Sequence, residues 1–202
     1  MNPASAAPTT PAAAGRLTAD RFSVGRSLAG RLSAAVLGSL LVAICAHIAV
    51  PLWFTPVPVT LQTFAVLLLG LILGPATAAA SLVLYLLEGM AGLPVLAPVG
   101  AIGFLHIFGP TGGYLLSYPA AAALAGWLRR RIGTGGFTPS LIAAAAASLL
   151  ILLSGAAWFS ILTHQNAVTV FALTVAPFIP GDILKVIAAA GAATGLRRFR
   201  RA

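Results

Sequence analysis

Pro177-Phe178-Ile179-Pro180-Gly181-Asp182-Ile183-Leu184-Lys185 opens the last apolar run of this chain, and Arg197, Arg198, Arg200 and Arg201 close it. Proline and glycine here mark a helix start, and an acidic residue in the first turn suits the positive end of the helix dipole. Positions three apart share a helix face, so Asp182 and Lys185 project together. Lys185 is the only lysine, and Asp182 is one of three acidic residues. A charge inside a membrane span costs roughly 2.5–3.5 kcal/mol on insertion scales, so charge kept there marks a functional candidate. The pair reads either as a self-neutralising helix start or as a donor and an acceptor offered to a polar ligand. The cost of burying charge favours the ligand reading.

Outward from this segment, the composition agrees. The 202 residues are 59% hydrophobic and 7% charged, with a mean hydropathy of +1.01. A soluble domain carries about 25% charged residues, so an integral membrane protein is expected. The net charge of +9 suggests nucleic acid at first sight. That is excluded, because the arginines flank apolar runs instead of lining a polar face. Cys45 is the single cysteine, so no internal disulfide forms.

Residues 1–31 read as a basic tail, rich in Ala, Pro and Thr at first and then carrying Arg16, Arg21, Arg26 and Arg31. Residues 32–199 read as one membrane domain. The apolar run from Leu32 to Phe54 exceeds the roughly 7–15 residues of a signal-peptide core, so it is expected to be retained. The chain is predicted to be all-α, with six spans near 33–53, 60–74, 76–92, 111–128, 139–162 and 180–197. Six spans put the N-terminal arginines, Arg129-Arg130-Arg131 and the C-terminal arginines on one side, with no Lys or Arg in the opposite loops. By positive-inside bias both termini are cytoplasmic, in a multi-pass protein of the cell membrane. A seventh span across 165–179 is too short and would move the C-terminal arginines outside.

The second and third spans are shorter than a roughly 30 Å hydrocarbon core requires, a property of segments bordering binding cavities. Under this topology Thr60, Gln62, Glu88, Asp182 and Lys185 converge on the outward half. Gln62 can both donate and accept. Glu88 reads equally as a site residue or as an interfacial carboxylate. In Gly109-Pro110-Thr111-Gly112-Gly113-Tyr114 the glycines admit a ligand or a neighbouring helix. No Walker lysine follows, so a nucleotide cradle is unsupported. Tyr114 and Trp53 read as stacking rings or, more commonly, as interfacial aromatics. His47, His106 and His164 lack metal-ligand spacing and read as ordinary packing residues. No cofactor and no enzyme activity are expected, because no nucleophile–base constellation accompanies Ser81 or Ser154. Ala35, Ser39 and Ala43 form a small-residue stripe that lets helices approach closely, inside the protein or towards a partner.

Five segments, in order, carry a resemblance. They are Ala46-His47-Ile48-Ala49-Val50-Pro51-Leu52, Pro56-Val57-Pro58-Val59-Thr60-Leu61-Gln62-Thr63, Glu88-Gly89-Met90-Ala91-Gly92-Leu93-Pro94-Val95, Gly109 to Tyr114, and Pro177 to Lys185. In these the chain resembles the BioY family, the biotin-specific substrate-binding (S) components of energy-coupling factor (ECF) transporters. The resemblance implies six membrane helices and a high-affinity biotin site near the outer surface. It implies that Asp182 takes the two ureido N–H donors of biotin and that Lys185 gives to its carbonyl. Gln62, Glu88, Gly103, Gly112, Gly113 and Tyr114 join them as candidate substrate-binding residues, and the segment from Phe54 to Val59 would be the loop that closes over the ligand. The implied partners are a transmembrane coupling protein, docked on the Ala35/Ser39/Ala43 face, and two cytoplasmic ATPases, with self-association left open. The S component is thought to topple in the membrane and carry its ligand inward. Three departures stand out: His47 stands where many members have glutamine, Ala97-Pro98-Val99-Gly100-Ala101-Ile102-Gly103 replaces a more glycine-rich stretch, and Leu115 stands where some members have arginine. The biotin carboxylate then lacks an evident cationic partner, and is expected either to project toward water or to be met by backbone N–H groups near Gly112. The alternatives are an S component for another vitamin, such as thiamine or riboflavin, and a membrane protein without a ligand.

Overall fold

The computed structural model describes residues 27–99, 103–133 and 136–199. Helix α1 spans Leu28–His47, with Ser27 as its N-cap accepting from the Gly30 N–H at 3.0 Å. The helix therefore starts ahead of the expected boundary at residue 32, and residues 1–26 of the expected tail lie outside the described residues. It also stops earlier than expected. Pro51 has no N–H and disfavours helical backbone before it. Ala49–Val50 instead forms strand β1, paired antiparallel with β2, Val59–Thr60, in the register Ala49 to Thr60 and Val50 to Val59.

The hairpin delivers the chain directly into α2, Gln62–Leu73, and a single Gly-Pro turn leads to α3, Pro75–Met90. Gly74 sits at φ +82°, open to glycine, and Pro75 supplies the preset first turn of α3. A four-residue helix α4, Phe104–Ile107, precedes α5, Gly112–Ile132, and α6, Phe137–Thr163. The stretch judged too short to span forms α7, Ala167–Thr174, and the chain ends in α8, Ile179–Phe199. Apart from the two-residue strands the described residues are all-α, as expected.

Helix α2 lies at the centre, against α1, α3, α5, α6 and α8, and seven of its apolar residues from Ala65 to Leu71 are buried. Around it the helices turn small side chains inward. In α1, Ala35, Gly38, Ser39, Ala43 and Ala46 are buried, while Leu32, Val36, Leu37, Leu40 and Ile44 are exposed. Small residues inside and large apolar residues outside is the arrangement of helices packed in lipid. Among the described residues three helices, α1, α6 and α8, are long and apolar enough to cross a membrane, and α2 and α3 are apolar but shorter.

Candidate functional site

A cleft of about 570 Å³, part of it open to solvent, lies among α2, α5, α6 and α8. Its polar groups come from helix starts. Asp182 and Lys185 sit in the first two turns of α8, Gln62 and Thr63 begin α2, and Tyr114 begins α5. The apolar wall includes Val57, Leu115, Ile151 and Phe178.

Asp182 and Lys185 are both buried, with Lys185 Nζ 3.2 Å from Asp182 Oδ1. The other carboxylate oxygen, Oδ2, accepts from Ser148 Oγ of α6 at 3.1 Å. Bonds to charged groups contribute about 1.5–3 kcal/mol each, which offsets part of the cost of burying the charge. The hydroxyl and the ammonium hold the carboxylate in one orientation. Lone pairs and N–H donors beyond these two bonds are left for a ligand.

Gln62 is fixed as firmly. Its Nε2 donates to Tyr85 Oη at 2.6 Å, and its Oε1 accepts from Thr60 Oγ1 at 2.9 Å. The Tyr114 hydroxyl donates to the Thr174 carbonyl at 2.5 Å, and its ring centroid lies 6.1 Å from that of Phe178. Beside Gln62, the Thr63 hydroxyl is buried with no hydrogen-bond partner among the described residues. An orphan buried hydroxyl costs about 1–3 kcal/mol, which a ligand supplying a partner would recover.

The structure therefore brings together Asp182, Lys185, Gln62 and Tyr114, and it separates the other expected residues. Glu88 does not line the cleft. It is half-buried on α3 and accepts a hydrogen bond from Ser39 of α1, so its carboxylate joins two helices. A Cβ on Gly113 would meet Ser154 O at 2.6 Å, and one on Gly112 would meet the Ile107 carbonyl and Trp158 Nε1. Both glycines seat α5 against its neighbours and do not face the cleft. Gly103, at φ +69°, turns the chain at the start of α4 beside Gly92. Of the two faces the small-residue stripe allowed, Ala35, Ser39 and Ala43 form one inside the chain. All three are buried, in a helix whose Gly38 leaves no room for a Cβ beside Ser81 of α3.

Three lining or supporting residues were not anticipated. Ser148 carries no sequence signal, being one small residue in an alanine-rich run. Thr63 adjoins Gln62 and closes the same Pro56–Thr63 segment, but a threonine there has no signal that sets it apart from Thr60. His106, read as a packing residue, is buried and lines the cleft. Its signal is a polar ring inside Phe104-Leu-His-Ile. Among the described residues, no three His, Cys, Asp or Glu side chains are grouped to hold a metal ion.

Fold and cleft define a class: a helical membrane protein whose described residues place a buried ion pair in a cleft with an apolar wall. The chain belongs to the BioY family, whose profile matches residues 17–202. It is 40% identical over 134 residues to "Probable biotin transporter BioY" of Pyrococcus horikoshii, covering 66% of this chain and 76% of that one. It is 33% identical over 156 residues to biotin transporter BioY2 of Lactococcus lactis, covering 77% and 84%. The crystal structure of an S-component for biotin from an ECF-type ABC transporter superposes with a TM-score of 0.76 at 28% identity, over 83% of this chain and 90% of that one.

Proposed function

We propose that this chain is the biotin-binding S component of an ECF-type vitamin transporter. The observation that carries the reading is the buried Asp182–Lys185 pair, held in the cleft by Ser148. Biotin's ureido ring offers two N–H donors and one carbonyl acceptor. Asp182 accepts from the donors, Lys185 gives to the carbonyl, and the apolar wall takes the fused rings. Thr63, His106 and the open side of the cleft are the candidates for meeting the carboxylate, since Leu115 supplies no charge. Biotin is carried as a ligand, no reaction is performed and no cofactor is needed.

The same reading gives a six-span protein of the cell membrane with both termini cytoplasmic. The cleft residues lie at the N-terminal ends of α2, α5 and α8, while Arg129–Arg131 and Arg197–Arg198 lie at the C-terminal ends of α5 and α8. Positive-inside bias then turns the cleft outward. The partners are a coupling protein and two ATPases, which supply the nucleotide chemistry this sequence lacks.

Calorimetric titration of biotin into the detergent-purified chain tests the reading. Wild type is expected to saturate, and Asp182→Asn to bind roughly tenfold to a hundredfold more weakly, the loss of a charged hydrogen bond. A folded wild type that ignores biotin, or that releases it to thiamine or riboflavin, would overturn the assignment.

A further inference from the structure

A second cavity, of about 280 Å³, lies at the opposite end of the bundle, lined by Leu71, Gly74, Gly126, Arg129, Arg130 and Arg197 among others. Three of its lining residues are arginines, and the two acidic residues of the described chain, Glu88 and Asp182, are elsewhere. The cavity is built by close backbone packing. A Cβ on Gly126 would meet Pro75 N at 2.7 Å, so α5 rests directly on the turn between α2 and α3. A Cβ on Gly74 would collide with the Arg130 guanidinium, which therefore lies against that turn.

Arg129 is 2% exposed. It donates to the Leu71 carbonyl and, at 3.5 Å, to the Ala193 carbonyl. Capping helix ends explains part of this arginine but not all of it. Its Nε has no partner among the described residues. Nor do helix dipoles offset the charge. The C-termini of α2 and α5 contribute about half a negative charge each, and the N-terminus of α3 about half a positive one. Against Arg129 and Arg130 alone, these leave an excess of about one and a half positive charges. Arg197 is outside that count.

We propose that this cavity binds a phosphate oxyanion, and specifically the headgroup of an anionic lipid. Planar guanidinium groups match phosphate oxygens, and the cavity opens where the helices end. The same helix ends expose Trp127, Ile132, Leu196 and Phe199, apolar surface suited to acyl chains, and Arg131 stacks over the Trp127 ring at 5.6 Å. A free phosphate shares the oxyanion but gains nothing from that surface.

Native mass spectrometry of the full chain in neutral detergent tests the site, titrating phosphatidylglycerol against phosphatidylcholine. Thermal unfolding with inorganic phosphate runs in parallel. Wild type is expected to prefer phosphatidylglycerol, and Arg130→Gln to lose about fivefold in that affinity, the contribution of one cation near a membrane surface. Arg130→Lys is expected to keep most of it, and biotin binding serves as the check that both variants are folded. Phosphate that stabilises wild type and displaces the lipid would support the oxyanion site with a soluble occupant. Equal binding of both lipids with no phosphate effect would overturn the proposal. So would a preference that survives in Arg130→Gln. If that variant keeps its lipid but fails to co-purify with the coupling protein, the arginines serve an acidic protein segment instead.

Discussion

Ser148 is the residue on which the ion pair's orientation turns. Among the described residues its hydroxyl is the one group from another helix that bonds the Asp182 carboxylate, at 3.1 Å, while Lys185 comes from Asp182's own helix. Removing it leaves the carboxylate charged and present but free to rotate towards Lys185. Ser148→Ala is expected to weaken biotin binding about threefold to tenfold, the value of one ordinary hydrogen bond, with the fold intact. Titration calorimetry beside Asp182→Asn measures it, and unchanged affinity would return Ser148 to packing. Asp182 and Lys185 were legible because charge in an apolar run has few explanations. Glu88 was misassigned on the same logic. Sequence gives the depth of a residue along its helix, but the direction in which it faces depends on neighbours not yet placed. Glu88 faces Ser39, and only the packing of α3 on α1 reveals it.

Among the elements, α5 and α6 define one wall of the cleft, and their spacing rests on glycine. A Cβ on Gly155 of α6 would collide with the ring of Tyr114 on α5. The ring is pinned at its other end by the bond to Thr174 and cannot retreat freely. Gly155→Ala is therefore expected to cost about 1–3 kcal/mol through overpacking, read as a lower unfolding temperature, and to weaken biotin binding with it. The helices themselves were readable from apolar runs and Gly-Pro punctuation, and the starts of α2, α3, α6 and α8 lie within two residues of expectation. The end of α1 was not, because an apolar run ignores whether its residues are helical or paired in a hairpin. The glycines at 112 and 113 misled for a related reason. A glycine signals close approach, and the approaching group proved to be Trp158 with the chain around it, not a ligand.

In the whole molecule the cleft is roofed from afar. Thr55, in the loop between the strands, donates to the Leu173 carbonyl at 2.8 Å, and Tyr114 donates to the next carbonyl of the same helix, α7. The roof and the wall are thus tied to one short element 118 residues away from Thr55. Thr55→Val is expected to raise the dissociation rate of biotin several-fold while leaving its association rate nearly unchanged, since most interface changes act on release. Stopped-flow displacement separates the two rates, and a change confined to association would reject the roof. Sequence periodicity holds no record of such a tie, whereas the segregation of arginines to one end was plain from the start. At the start of α8, Asp182 and Lys185 sum to no charge. A lone charge carried through 100 mV exchanges about 2.3 kcal/mol with the field. The pair presents only a dipole, so the field acts far more weakly on the empty cleft than it would on a single buried charge.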